Sequence, residues 1–180
     1  MVQNNINTEN LKRYETVREI VEERYKNTVD RIGIKFFHHF TSLEKILDKI
    51  YQNHTSKGQE ITCINFDYID VYKMKTYALL HSAIKDEIFN EEEFDSLFSW
   101  DEKDFMLRYS KVLRIGDNCS MFEVDEISPY MRLIFLADVR FHTDILTFDE
   151  FELKDYHTLR FYFKLYKKVI NFNNQKEINI

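Results

Sequence analysis

Glycine and proline are scarce in this chain, which has three Gly and one Pro among 180 residues. Gly33, Gly58 and Gly116 stand far apart, so the sequence lacks a GxGxxG dinucleotide loop, a phosphate-binding P-loop and a GxSxG nucleophile elbow. Few turn residues also disfavour a β-sandwich or barrel, which needs many tight turns. The composition therefore favours helices and gives no reason to expect a cofactor.

Cysteine is equally sparse. Cys63 and Cys119 are too few for a disulfide framework or a zinc ribbon, and we interpret both as reduced thiols. No basic and then apolar leader opens the chain, and no apolar run approaches the roughly 18 residues that a membrane-spanning helix needs. We expect a cytoplasmic protein, of a cell or of an infected host, without a membrane partner.

Aromatic residues are abundant, with sixteen Phe and eleven Tyr. This content argues against disorder although 31% of the residues are charged. A chain of this length buries roughly 70% of its unfolded surface. We expect a mostly α fold, a single compact domain over 1–180 with frayed termini at 1–7 and 173–180.

The clearest helical pattern lies in Gly33 to Tyr51, where Leu43, Ile46, Leu47 and Ile50 share one helix face. Thr41 followed by Glu44 has the form of a capping box, which predicts a helix start at Thr41 or Ser42 and a connector before it. A surface loop is predicted over His54 to Glu60.

Similar stripes predict the other helices, and two short segments are candidates for strands. The predicted helices cover Thr8 to Ile32, Asp70 to Phe89, a segment capped by Ser99 or Asp101 and ending near Gly116, Pro129 to about Phe141, and a last helix from Asp155. The predicted strands are Ile61 to Tyr68, whose side chains alternate, and Cys119 to Val124. This gives about six helices with one or two short strands.

One spacing suggests an enzyme. Arg31 and His38 are separated by six residues, a pattern that resembles that of HEPN-type ribonucleases. The resemblance covers eight residues, and it departs from the family at Ile32, where a polar residue is usual, and at Gly33, which would interrupt the helix. It implies metal-independent RNA cleavage by Arg31 and His38 in a symmetric dimer.

Other catalytic or metal arrangements have less support. Asp138 and His142 lie four residues apart on one predicted helix face, and further oxygen or nitrogen ligands would have to come from His38, His39, Asp67 and Asp70. Local spacing places only the one pair, so we expect no metal site. Nothing in the sequence brings a Cys or Ser next to a His for nucleophilic catalysis.

The negative charge is concentrated in one stretch, Asp86 to Asp104, which we call the acidic segment. Aromatic residues lie among its carboxylates, an arrangement that suits docking on a basic partner because charge steers the encounter and aromatics supply buried contacts. The candidate partner-binding residues are Asp86, Glu87, Glu91, Glu92, Glu93, Phe94, Asp95, Phe98, Trp100, Asp101, Glu102 and Asp104.

The predicted last helix has the opposite charge. Its basic residues Arg160, Lys164, Lys167 and Lys168 alternate with aromatics, a pattern that could bind RNA or an anionic membrane. We favour a solvated helix side instead, because Lys is common near helix C-termini. The net charge of −6 also opposes general nucleic-acid binding.

These patterns favour a non-enzymatic regulator or inhibitor that engages a basic or nucleic-acid-handling protein through the acidic segment. A composition rich in Asn, Ile, Lys, Phe and Tyr is typical of AT-rich genomes such as those of phages and mobile elements, whose accessory proteins commonly block host proteins, including defence nucleases. The HEPN-like ribonuclease is the alternative.

Overall fold

Six α-helices make up most of the part of the chain that the structure, a computed structural model, describes: residues 7–29, 35–57, 66–114 and 128–143, together with Arg160. The helices are α1 (Thr8–Tyr25), α2 (Phe37–Lys57), α3 (Val71–Leu80), α4 (Glu91–Leu97), α5 (Trp100–Arg114) and α6 (Pro129–His142). The predicted mostly α fold of about six helices is confirmed. Among the described residues, no helix has the length and apolar character needed to cross a membrane.

Helix α1 ends seven residues before its predicted end. Asn7 caps its start by accepting hydrogen bonds from the backbone N–H groups of Glu9 and Asn10. After Tyr25 the chain turns, Val29 pairs with Lys35 in an antiparallel bridge, and the ring of Phe36 stacks on Tyr25 at 5.2 Å. The stacking of Phe36 on Tyr25 requires the chain to turn back after Tyr25, which is incompatible with a continued α1. The prediction of a helix to Ile32 was therefore wrong.

Helix α2 is longer than predicted at both ends. It begins at Phe37, so residues 37–40 of the expected connector are helical and the predicted capping box at Thr41 lies inside the helix. The ring of Phe40 is fully buried and packs edge-on against Tyr25 at 4.9 Å, and this contact stabilises the additional helical turn before Thr41. Helix α2 then continues to Lys57, through most of the predicted loop.

Helix α3 has the predicted start but an earlier end. Asp70 caps it by accepting from the N–H groups of Tyr72 and Lys73. Beyond Leu80 the chain forms turns up to Glu87, whose positive φ of 52° marks a left-handed position that a continuous helix does not contain. The prediction of one helix to Phe89 was wrong.

The two predicted strands differ in outcome. Phe66–Tyr68, the end of the first, is a 3₁₀-helix, so this part of the prediction was wrong. The rest of Ile61 to Tyr68 and all of Cys119 to Val124 lie outside the described residues, as does the predicted last helix apart from Arg160, which is helical.

The chain divides into two compact units. The first comprises Met1–Phe40 and Tyr68–Arg114, and the second Thr41–Asp67 and Ile115–Ile180. The single domain expected from chain length stays a prediction.

In the first unit, α1 packs against α3, and α3 packs against α5. Val17 and Val21 of α1, Leu79 and Leu80 of α3 and Met106 of α5 are all fully buried. This three-helix core positions α1, α3 and the start of α5, which together line the cleft described below.

In the second unit, α6 begins as predicted, with Ser128 as its cap and Pro129 at its first position. Its buried residues, from Met131 to Val139, cover most of the helix circumference. Helix α6 is therefore largely buried.

Candidate docking surface and cleft

Helix α4 lies within the acidic segment. Its cap Asn90 accepts a hydrogen bond from the N–H of Glu93, and the Glu93 carboxylate accepts one from the N–H of Asn90, which completes a capping box. Arg24 of α1 forms an ion pair with the same carboxylate. The Asn90 N–H first and Arg24 second lower the pKa of Glu93 below its ordinary value. Glu93 is therefore a structural residue of α4.

The side chain of Glu102 is buried in the first unit and only 5% exposed. Arg13 donates to it from Nε at 2.8 Å and from Nη2 at 2.5 Å, and the N–H of Ser99 donates at 2.8 Å. Arg13 Nη2 also donates to the carbonyl of Leu97 at 2.7 Å. Since these bonds join α1 to the start of α5 and satisfy a buried charge, Glu102 is a structural residue.

Phe98, between α4 and α5, is also buried. It is 5% exposed, its ring meets Phe89 edge-on at 4.9 Å, and the ring of Phe94 lies 6.1 Å away. Phe98 and Glu102 are therefore not available to a partner, although the sequence pattern included both.

Trp100, in contrast to Phe98 and Glu102, is exposed to solvent. It is the first residue of α5 and is 75% exposed, and no ring contact with another described residue involves it. Leu107, two turns later on the same helix, is 47% exposed. Residues seven apart share a helix face, so α5 presents two large apolar side chains to solvent.

Carboxylates lie before and after Trp100 in the chain. Glu87, Glu91 and Glu92 are exposed and have no ion-pair partner within the described residues. Three further acidic groups are held by cations: Asp95 by Lys103 at 3.1 Å, Asp101 by Lys73 at 2.9 Å and Asp104 by Arg108 at 2.8 Å.

Asp86, at the start of the segment, has a different role. It accepts a hydrogen bond from the hydroxyl of Tyr25 at 2.6 Å. Burial, and then this hydrogen bond, raise the pKa of Tyr25 far above its ordinary value. Asp86 thus anchors the turn after α3 to the end of α1.

A cleft of about 500 Å³ opens beside the first turn of α5. Its lining comes from α1, α3 and the start of α5 and comprises Glu9, Asn10, Lys12, Arg13, Thr16, Lys73, Thr76, Tyr77, Ser99, Asp101 and Glu102. Thr76, Tyr77 and Glu102 are buried, whereas Glu9, Lys12, Thr16, Ser99 and Asp101 are exposed. The cleft is therefore partly open to solvent, and every residue that lines it has a polar or charged side chain.

Two side chains of the lining have shifted pKa values. Burial raises the pKa of Tyr77 to about 12, with the ammonium group of Lys73 opposing the shift. For Lys73 burial alone would lower the pKa, but the hydrogen bond to Asp101 and nearby negative charge outweigh it and raise the pKa. Lys73 is a cation and Tyr77 a neutral phenol at neutral pH.

Sequence reasoning did not find this cleft. Arg13 and Glu102 are 89 residues apart, and Asn10 bonds with Asp70 across 60 residues. No local spacing reports such contacts. The sequence had named Glu102 as a partner-binding candidate and Asp70 as a helix start and candidate metal ligand, but nothing in it joined either residue to α1.

The pair proposed for RNA cleavage is described only in part. His38 lies exposed in the first turn of α2, and Arg31 is outside the described residues. His38 does not line the cleft. The geometry between Arg31 and His38 stays a prediction.

Three of the candidate metal ligands, Asp70, Asp138 and His142, make side-chain contacts within the described residues. His142 Nε2 lies 3.2 Å from Asp138 Oδ1, as the spacing of four predicts. Asp70 is engaged by Asn10 and by the start of α3. Of the basic residues expected on the last helix, Arg160 is exposed and helical, and Lys164, Lys167 and Lys168 lie outside the described residues.

A buried histidine pair was also missed. His39 Nε2 lies 3.2 Å from His81 Nε2, and His81 Nδ1 lies 2.6 Å from the carbonyl of Ala78. Because a carbonyl only accepts, Nδ1 of His81 carries the proton. Ser82 Oγ lies 3.1 Å from His81 Nε2. Because Ser82 and His81 are both buried, these side chains satisfy one another's hydrogen bonds in the protein interior and do not form an open catalytic site.

Neither protein-family models, curated proteins nor solved structures give a match to this chain.

Proposed function

We propose that this chain is a non-enzymatic protein-binding regulator that docks on a basic surface of a partner protein through Trp100 and the exposed carboxylates of the acidic segment. The observation that carries the proposal is the 75% exposure of Trp100, an aromatic residue beside acidic groups. Tryptophan is highly buried on average in folded proteins, and it is enriched among the residues that dominate binding energy.

The charge around Trp100 indicates the kind of partner. Glu87, Glu91 and Glu92 are exposed, and the nearby Asp101 is 56% exposed in its side chain even though Lys73 contacts it. Negative charge of this kind attracts a basic surface and speeds association at low salt. Proteins that handle nucleic acids carry basic surfaces, because they contact phosphates with Lys and Arg. We therefore propose such a protein as the partner, with a defence nuclease blocked by a phage or mobile-element inhibitor as the specific case.

The proposed docking surface is smaller than the acidic segment. It consists of Glu87, Glu91, Glu92, Asp95, Trp100, Asp101, Asp104 and Leu107. Phe98 and Glu102 are excluded because they are buried, and Asp86 and Glu93 because they stabilise the turn after α3 and the start of α4. Phe94 is left out because it is only partly exposed and its ring packs near that of Phe98.

The test is a comparison of variants in a pull-down with the tagged full chain from lysate of its native host. Three proteins are compared: the wild type, Trp100→Ala, and Glu91→Gln with Glu92→Gln. A matched control, Glu15→Gln with Glu19→Gln, removes two exposed carboxylates from α1. We expect one basic protein that the wild type and the control retain, and that both surface variants and 0.5 M salt release.

The affinity for the captured protein is then measured. Loss of a central tryptophan costs about 2 kcal/mol or more, so Trp100→Ala should weaken binding by roughly 30-fold. The proposal is wrong if Trp100→Ala binds every captured protein as the wild type does, or if the α1 control loses binding equally.

A second candidate, the metal-independent ribonuclease, has one supporting observation, the exposure of His38. It predicts RNA cleavage that persists in EDTA and is lost in His38→Ala, while Lys35→Ala, an exposed neighbour, retains it. Cleavage that EDTA abolishes, or that His38→Ala retains, rejects this candidate.

A further inference from the structure

The cleft contains side chains that are held in place by hydrogen bonds and still have a donor or acceptor atom without a hydrogen bond to a described residue. This combination is typical of binding sites, where polar groups are oriented before the ligand arrives. The cleft volume of about 500 Å³ lies in the range of small-molecule sites.

Arg13 supplies fixed donors. Its Nε and Nη2 are occupied by Glu102 and by the Leu97 carbonyl, which immobilises the planar guanidinium. Within the described part of the chain, Nη1 donates no hydrogen bond, so its two N–H groups remain for a ligand. A guanidinium held in this way suits a carboxylate, which accepts hydrogen bonds from N–H groups.

Asn10 supplies a fixed acceptor. Its Nδ2 donates to Asp70 Oδ2 at 2.9 Å, and this fixes the orientation of the amide because a carboxylate can only accept. The opposite atom, Oδ1, accepts no hydrogen bond from any described residue. Asn10 and Arg13 are three residues apart on α1, so the acceptor and the donors lie on one helix face about one turn apart.

The charges that line the cleft disfavour a ligand that is only an anion or only a cation. Three cations, Lys12, Arg13 and Lys73, are balanced by Glu9, Asp101 and Glu102. An anion would meet the three carboxylates and a simple cation would meet the three basic groups. A ligand that carries one charge of each sign avoids both conflicts.

We propose that the cleft binds a small zwitterion with an ammonium and a carboxylate on one short skeleton, as in an α-amino acid. The carboxylate accepts hydrogen bonds from Arg13 Nη1, and the ammonium donates to Asn10 Oδ1 with Glu9 and Asp101 adding electrostatic attraction. This proposal does not require the docking function, since it uses a different set of side chains apart from Asp101.

The first test is calorimetric titration of the full chain with each of the twenty free amino acids. The tightest ligand is then compared with two analogues of the same skeleton, one without the ammonium and one without the carboxylate, as propionate and ethylamine are to alanine. Because hydrogen bonds to charged groups are strong, we expect at least one amino acid to bind at least about tenfold more tightly than both analogues. Binding weaker than about 10 mM for all twenty, or a smaller preference over either analogue, overturns the proposal.

The second test locates the ligand. Thr16 is an exposed lining residue, so Thr16→Tyr should fill the cleft while the helix remains folded, and Glu15→Tyr places the same side chain next to it on α1 outside the lining. Asn10→Leu removes the acceptor without changing the size of the side chain much. We expect Thr16→Tyr and Asn10→Leu each to reduce affinity by about tenfold and Glu15→Tyr to keep it.

Circular dichroism confirms the fold of each variant. If folded Thr16→Tyr and Asn10→Leu bind as the wild type does, the proposed site is wrong. Loss of amino-acid binding with retained partner capture would separate this site from the docking surface, and the reverse result would reject only the docking function.

Discussion

Two neighbouring sets of side chains in the acidic segment have the same composition and opposite roles. Phe98 and Glu102 are 5% and 4% exposed, whereas Trp100 is 75% exposed and Glu92 lies at the surface of α4. The inner set closes the core of the first unit, and the outer set faces solvent. An aromatic residue and a carboxylate can therefore be structural or available for binding within a few residues, and the tertiary packing of each side chain decides which.

The largest expected difference between the two sets is in the aromatic pair. Phe98→Ala removes a ring packed against Phe89 and should lower the free energy of unfolding by about 4 kcal/mol. Trp100→Ala removes an exposed ring and should change it by no more than about 0.5 kcal/mol. Chemical denaturation of both variants followed by circular dichroism measures the difference.

A large loss of stability in Trp100→Ala would break this comparison. It would mean that Trp100 is buried against another part of the chain and is not a free docking residue. The proposed function would then lose the observation on which it rests.

The carboxylate pair should show a smaller difference. Glu102→Ala removes a buried carboxylate that accepts from Arg13 and from the N–H of Ser99, and we expect a loss of about 2 kcal/mol, because the Arg13 side chain left behind is 32% exposed and still bonds the Leu97 carbonyl. Glu92→Ala removes an exposed carboxylate in the first turn of α4 and should cost about 0.5 kcal/mol through the helix dipole.

The double variant Arg13→Ala with Glu102→Ala sharpens this prediction. If the cost of Glu102→Ala comes from an unpaired Arg13, the double variant should be less destabilised than the sum of the two single variants. Additive losses would show that the two side chains act separately.

The parts of the fold that the sequence predicted well are those set by local chemistry. Ser128 and Pro129 begin α6, and Asp70 begins α3, because a cap needs only side chains close in sequence. The helical class itself followed from the low glycine and proline content. Ser99 caps α5 as one of the two predicted candidates, with its hydroxyl 3.4 Å from the N–H of Glu102.

The parts that sequence reasoning missed depend on contacts between distant residues. Tyr25, Phe36 and Phe40 form an aromatic cluster that ends α1 early and starts α2 early, and no periodicity within either helix contains that information. The same applies to Arg13 with Glu102. Charge density along the chain marks the acidic segment, but it could not separate the carboxylates that hold the fold from those that face solvent.

The smallest expected effect concerns Glu93, which lies between the two sets in role. Its lowered pKa means that the folded state favours the charged form, so its contribution to stability is complete above the ordinary pKa of 4.5 and is lost as the pH falls through the lower folded value. The difference in unfolding free energy between wild type and Glu93→Gln should therefore shrink between about pH 6 and pH 3. Arg24→Gln keeps the hydrogen bond from Asn90 and removes the ion pair, so its stability should show an intermediate dependence on pH. If the wild type and Glu93→Gln keep a constant difference over this range, Glu93 is an ordinary surface carboxylate, and it should be moved to the outer set and added to the docking surface.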